Sequence, residues 1–228
     1  MESIQKKVVN RTYNIITNGF DPEDFSRAEQ LESQAYINKD HFTIRFVGSV
    51  REAAIPEGFL RAVSQLKNQN QIRIEFVGNI HPSLGRLVEE LDISNQVKFL
   101  PYVPHVEAIK YMQSCDLLLL SISQTKNSEQ ILTGKLFDYL GAKRPILFLG
   151  PTKGDAAKII KEMDQGVCYE HEDVEGIKKY LEEHVQEHFQ KGEPSETSSK
   201  ATESHEDQEN HPYSRIELTR QLSGLLKK

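Results

Sequence analysis

Residues 42–48 read FTIRFVG and residues 72–78 read IRIEFVG. Each is a β-branched and aromatic run closed by glycine, and Glu57 to Leu66 between them has helical apolar spacing. Strand, helix and strand in that order make a βαβ unit, whose strands run parallel through a right-handed crossover.

Working outward, the same alternation continues. A helix around Leu84 to Leu91 leads to a strand at Val97 to Leu100, and a helix at Val106 to Gln113 precedes the apolar run Leu117 to Leu120 with Ser121. A helix from Lys135 to Leu140, stopping at Gly141, precedes a strand at Ile146 to Leu149. Ala156 to Met163 reads as a helix, Val167 to Tyr169 as a strand, and a further helix starts at Val174. Runs as apolar as Leu117–Leu120 suit strands covered on both faces. The pattern predicts an α/β, Rossmann-like parallel sheet flanked by helices. Ligands of such sheets sit at the carboxyl ends of the strands, so the loops after Gly48, Gly78, Leu100 and Ser121 are the places to look.

The 228 residues correspond to about one and a half domains. A net charge of −6 argues against general binding to nucleic acid or anionic membrane. Much of that charge lies in Lys191 to Pro212, which holds six acids against two lysines and only Ala201 from the hydrophobic set. Such a segment is expected to be disordered or loosely attached. Order is expected to return at Ser214, where Ser-Arg-Ile-Glu forms a capping box ahead of a stripe of Ile216, Leu218, Leu222, Leu225 and Leu226. Residues 1–41 show little periodicity apart from Ile15 to Phe25. The expected units are therefore 1–41 (an extension), 42–190 (the Rossmann-like domain), 191–212 (the acidic insertion) and 213–228 (a terminal helix). Cys115 and Cys168 fit no disulfide or CxxC framework, and there is no apolar signal core or membrane-length apolar run. A cytoplasmic location is the expectation.

The segment richest in chemistry is Leu132-Thr133-Gly134-Lys135-Leu136-Phe137-Asp138-Tyr139-Leu140-Gly141. Thr133 can cap a helix whose first amides, with Gly134 and Lys135, form an anion site suited to phosphate. Asp138 follows one turn later on the same face, where a carboxylate can accept from sugar hydroxyls. A capped core helix with a surface Lys–Asp pair fits the same residues. Leu136 after Gly-Lys excludes a Walker loop, and no GxGxxG follows Val47. Gly150 to Gly154, with Asp155 as N-cap, reads as a structural turn. The stiff loop Pro101 to His105 could present backbone groups to a planar base. His184 and His188 have metal-ligand spacing but sit among Glu182, Glu183 and Glu187, so a solvated helix is the simpler reading and no metal is expected.

In order, these pieces resemble the C-terminal half of a GT-B glycosyltransferase, closest to retaining family 4, the glycosyl transferases group 1. The matching pieces are Asn18-Gly19-Phe20-Asp21, Phe46-Val47-Gly48-Ser49, Phe76-Val77-Gly78, Val97 to His105, Cys115-Asp116-Leu117-Leu118, the Leu132 to Leu147 segment, and Tyr213-Ser214-Arg215. The resemblance implies a single GT-B half-domain that binds a nucleotide-diphosphate sugar, a UDP- or GDP-sugar, as substrate with no cofactor. Lys135, Asp138 and Arg51 would carry the chemistry. Gly48, Ser49, Thr133 and Gly134 would approach the diphosphate, Val103, Pro104 and His105 would flank the base, and Asp138 would contact the ribose. The first acid of the family's pair falls on Gln130, and Pro56 stands where a Lys is common. The resemblance further implies transfer to an acceptor in surface polysaccharide biosynthesis, with an N-terminal acceptor-binding domain or subunit docking on the terminal helix. Peripheral membrane association would come through that other half. Two alternatives stay open: a non-catalytic Rossmann-like interaction module, and half of a GT-B nucleotide-sugar epimerase.

Overall fold

A computed structural model describes residues 14–32, 40–190 and 205–227. Six parallel strands form one sheet: β1 (Phe42–Val47), β2 (Ile72–Val77), β3 (Val97–Leu100), β4 (Leu117–Ser121), β5 (Ile146–Leu149) and β6 (Gly166–Tyr169). Their order is β3-β2-β1-β4-β5-β6, so strand order reverses between β1 and β4. The α/β Rossmann-like expectation holds, and the switch point is that pair.

Side-chain alternation sorts the core into two layers. Phe42, Ile44 and Phe46 of β1, with Leu117 and Leu119 of β4, face α2 (Glu57–Ser64), α3 (Pro82–Glu90) and α7 (Val174–Gln190). Val47, Leu118 and Leu120 face the other layer. That layer is built from α1 (Pro22–Glu29), α4 (His105–Gln113), α5 (Gly134–Ala142) and α6 (Asp155–Glu162). Arg45 is the charged exception among the β1 residues: it is 2% exposed, pairs with Glu75 at 2.8 Å, and donates to the carbonyls of Tyr111 and Ser114 at the end of α4.

Helix α1 begins at the Asp21 cap, whose side chain accepts from the Glu23 amide, so part of the 1–41 extension packs into the body through Phe20 and Phe25. Its neighbours come from the far end of the chain. Phe20 and Ser214 form a parallel bridge, with Phe20 N–H donating to Tyr213 and Arg215 N–H to Phe20.

Three expectations need correction. Order returns before Ser214: α8 (His205–Glu209) precedes α9 (Arg215–Leu226), with Gln208 buried and His211 packed edge-on against Phe20. The rest of the expected insertion, residues 191–204, lies outside the described residues, as do 1–13. Helix α5 does not stop at Gly141; it runs to Ala142 and ends on Lys143 in the left-handed region. Gly141 serves sideways contact instead, since a Cβ there would lie 2.6 Å from Phe25 and 2.8 Å from Phe20. Finally, Gly154 rather than Asp155 caps α6.

Candidate functional site

The site is built on the carboxyl edge of β1. Gly48 follows the strand with φ of 123°, a value L side chains rarely adopt, and a Cβ there would lie 2.9 Å from the Lys135 side chain. Lys135 therefore crosses directly over the glycine. Its Nζ donates to the Ser49 carbonyl at 3.0 Å and stands 4.5 Å from the centre of the Phe46 ring. Phe46 belongs to the opposite core layer, so the ammonium reaches over the strand end from one face to the other. Burial, and then repulsion from Arg51, pull the Lys135 pKa down to about 8.

Thr133 is the N-cap by position, yet its hydroxyl is buried and bonds no described residue, so the expected side-chain cap is not formed. Its carbonyl instead accepts from Leu136 N–H at 3.1 Å. Among the described residues, the amides of Gly134 and Lys135 have no acceptor. Gly134 is exposed, and Asn18 is the nearest group to a Cβ built on it. Two free amides, a cation and an accessible glycine backbone converge here. That arrangement stabilises a polyanion better than a neutral ligand.

Asp138 lies one turn on, half-buried. Burial raises its pKa, while His105 and Arg215 favour the ionised form and Asp24 opposes it. His105 Nε2 sits 3.5 Å from Asp24 Oδ2, and Arg215 Nε donates to the Gly19 carbonyl. The carboxylate is thus surrounded by α4, α1 and the start of α9. No described residue donates a hydrogen bond to it, which leaves it able to accept from hydroxyl groups.

Of the loop flanking this acid, Val103 is partly buried on the core, Pro104 caps α4, and His105 is the first residue of that helix rather than a loop residue. Arg51 caps a short 3-10 turn over Glu52–Ala54 and is exposed. Gln130 is also exposed, on a turn whose Glu129 backbone packs on Gly154, and no hydrogen bond joins it to Lys135 or Asp138. Gly48, Ser49, Lys135 and Arg51 therefore form one group, and Asp138 with His105 a second. The two histidines of α7 have separate partners: His184 Nδ1 faces the Tyr180 carbonyl and His188 Nδ1 lies 3.6 Å from Asp116. Sequence reasoning missed Asp24, Arg215 and Tyr139. Arg215 stood in the Tyr213-Ser214-Arg215 piece and Tyr139 at helical spacing from Lys135, whereas Asp24 left no signal.

A family model described as glycosyl transferases group 1 matches residues 28–203. The chain belongs to this family. In fold, this group 1 domain resembles HepE of Anabaena solved with UDP, with a TM-score of 0.66 and 16% identity over 94% of this chain and 57% of that one. It resembles a glycosyltransferase of Rickettsia africae with a TM-score of 0.69 and 15% identity, over 93% of this chain and 56% of that one. The C-terminal domain of LpcC from Francisella tularensis, also group 1, is covered in full by 86% of this chain, with a TM-score of 0.57 and 17% identity. The group 1 domain thus spans just over half the length of the first two relatives and has the fold of one GT-B half. No curated protein matches the chain. Among its described residues, no helix is long and apolar enough to cross a membrane.

Proposed function

We propose that this domain binds the nucleotide-diphosphate donor of a retaining hexosyltransferase, and that the sugar passes to an acceptor held by a second domain. The observation that carries the reading is the convergence of Lys135, the free amides of the first α5 turn and the Gly48–Ser49 backbone at the switch point. A leaving diphosphate gains charge as the glycosidic bond breaks. The α5 dipole, Lys135 and Arg51 stabilise that charge in place of a metal or cofactor.

Asp138 accepts from the ribose hydroxyls, with His105 and Arg215 favouring its ionised form against the opposing effect of burial. Val103 and Pro104 flank the base, Thr133 and Gly134 approach the phosphates, and Gln130 stands on the side of the donor sugar. HepE was solved with UDP-glucose, and on that likeness we take the donor of this domain to be a UDP-sugar rather than a GDP-sugar. The acceptor-binding domain or subunit docks on α9, where Leu222 and Leu226 are exposed, and any peripheral membrane association comes through that partner. Polysaccharide assembly in the cytoplasm is the setting that family resemblance suggests.

The test is calorimetry with UDP, GDP and UDP-glucose. Saturable binding that Lys135→Ala and Asp138→Ala each weaken supports the reading. Failure of every nucleotide and nucleotide sugar to bind folded protein overturns it.

A further inference from the structure

The two strands of the switch point are paired at Ile44–Leu117 and Arg45–Leu118 and no further. Their outer neighbours stay paired for longer: β1 with β2 to Val47–Val77, and β4 with β5 to Ser121–Leu149. A seam therefore opens between β1 and β4 toward their carboxyl ends. In this register the next parallel rung would run from Val47 N–H to the Leu119 carbonyl. The Tyr139 hydroxyl occupies that rung. It accepts from Val47 N–H at 2.8 Å and lies 3.3 Å from the Leu119 oxygen and 3.4 Å from the Val47 oxygen, either of which can take its proton. Tyr139 is 0% exposed, and burial pushes its pKa up, so the hydroxyl stays protonated and can bridge both strands.

Tyr139 lies one turn after Lys135 on α5. The helix is thus tied to the β1 end twice, by Tyr139 at Val47 and by Lys135 at Ser49, with Gly48 between the two ties. We propose that Tyr139 is a positioning residue for the donor diphosphate, holding the β1/β4 seam at the width that sets Lys135 against the Gly48–Ser49 backbone. This rests on the donor-binding reading above. Losing the hydroxyl either lets Val47 and Leu119 close the rung directly or leaves a buried amide unpaired. Either outcome removes the tie that fixes α5 to the β1 end beside Gly48.

The experiment is a double-mutant cycle on UDP affinity, measured at 15 °C with each protein shown to be folded. Tyr139→Phe is expected to weaken UDP roughly tenfold, and the Lys135→Ala/Tyr139→Phe double variant to bind no worse than Lys135→Ala. A purely structural role lowers Tm but leaves the affinity of folded protein within twofold, or gives additive losses; either result overturns the proposal. If Tyr139→Phe does not fold, 3,5-difluorotyrosine at position 139 keeps ring and hydroxyl while weakening the oxygen as an acceptor. It is expected to raise the UDP Kd in the same direction, and an unchanged Kd overturns the proposal. If wild-type protein binds neither UDP nor UDP-glucose, the donor reading fails first. Val47 amide exchange then still reports separately whether Tyr139 fills the rung.

Discussion

Lys135 Nζ is held 3.0 Å from the Ser49 carbonyl oxygen, close above Gly48. A neutral carbonyl is a weaker partner for an ammonium than a phosphate oxygen, so an incoming diphosphate competes with it for a cation already in place. Lys135→Ala is expected to weaken UDP by roughly 10- to 100-fold, the range for one charge-assisted hydrogen bond, with little change in Tm. Titration calorimetry of the folded variant checks this.

The same lysine gives donor binding a pH dependence. Its pKa near 8 reflects burial and Arg51, both of which disfavour the ammonium, whereas a bound diphosphate favours it. Binding should therefore take up a proton at pH 8–9 and none near pH 7. From pH 7 to pH 9 the UDP affinity should fall roughly tenfold, since one proton must be regained per ligand bound. Calorimetry in buffers of different ionisation enthalpy measures the uptake, and Lys135→Ala should abolish it.

Asp138→Asn keeps the shape of the side chain but removes the charge that His105 and Arg215 face. UDP and UDP-glucose affinity is expected to drop by roughly 10-fold or more, in line with charged hydrogen bonds to hydroxyls. Deoxy-UDP lacking the 2′-hydroxyl should discriminate less between variant and wild type than UDP does. Equal losses with both ligands would count against a ribose contact.

Gly141→Ala tests the packing that closes the site from behind. The new methyl would press on Phe20 and Phe25, and overpacking of this kind costs about 1–3 kcal/mol. Chemical denaturation should show that loss.

Glu75→Ala leaves the Arg45 guanidinium buried without its carboxylate. Breaking a buried pair from one side typically costs about 3–5 kcal/mol. A markedly lower Tm is the expected result, with the UDP Kd of the remaining folded protein unchanged because the pair lies away from the Gly48 edge.

The strands Phe42–Val47, Ile72–Val77, Val97–Leu100 and Ile146–Leu149 were legible residue by residue, because each apolar run between turn formers has the length of a strand. Lys135 and Gly48 were each legible as phosphate-facing residues through the family resemblance and the strand-end rule, but the direct crossing of one over the other was not. The surroundings of Asp138 were not, because Asp24, His105 and Arg215 come from three segments that only the fold brings together. Helix α8 was hidden for a related reason. Its composition is polar, and what orders it is tertiary: buried Gln208, and His211 against Phe20. Gly141 carried a genuine helix-stop signal locally, but the neighbouring rings needed the missing Cβ more than the chain needed a turn.

The bridge between Phe20 and Ser214 has a topological consequence. Gly19 and Arg215 are 196 positions apart and hydrogen-bonded, so the described chain is closed on itself as a ring clasped beside the site. A ring can be cut elsewhere. A linker running from the end of α9 back to the segment before Gly19, with new termini opened in the exposed loop at 124–127, should yield a circularly permuted protein that keeps the sheet order and the Gly48–Lys135 crossing.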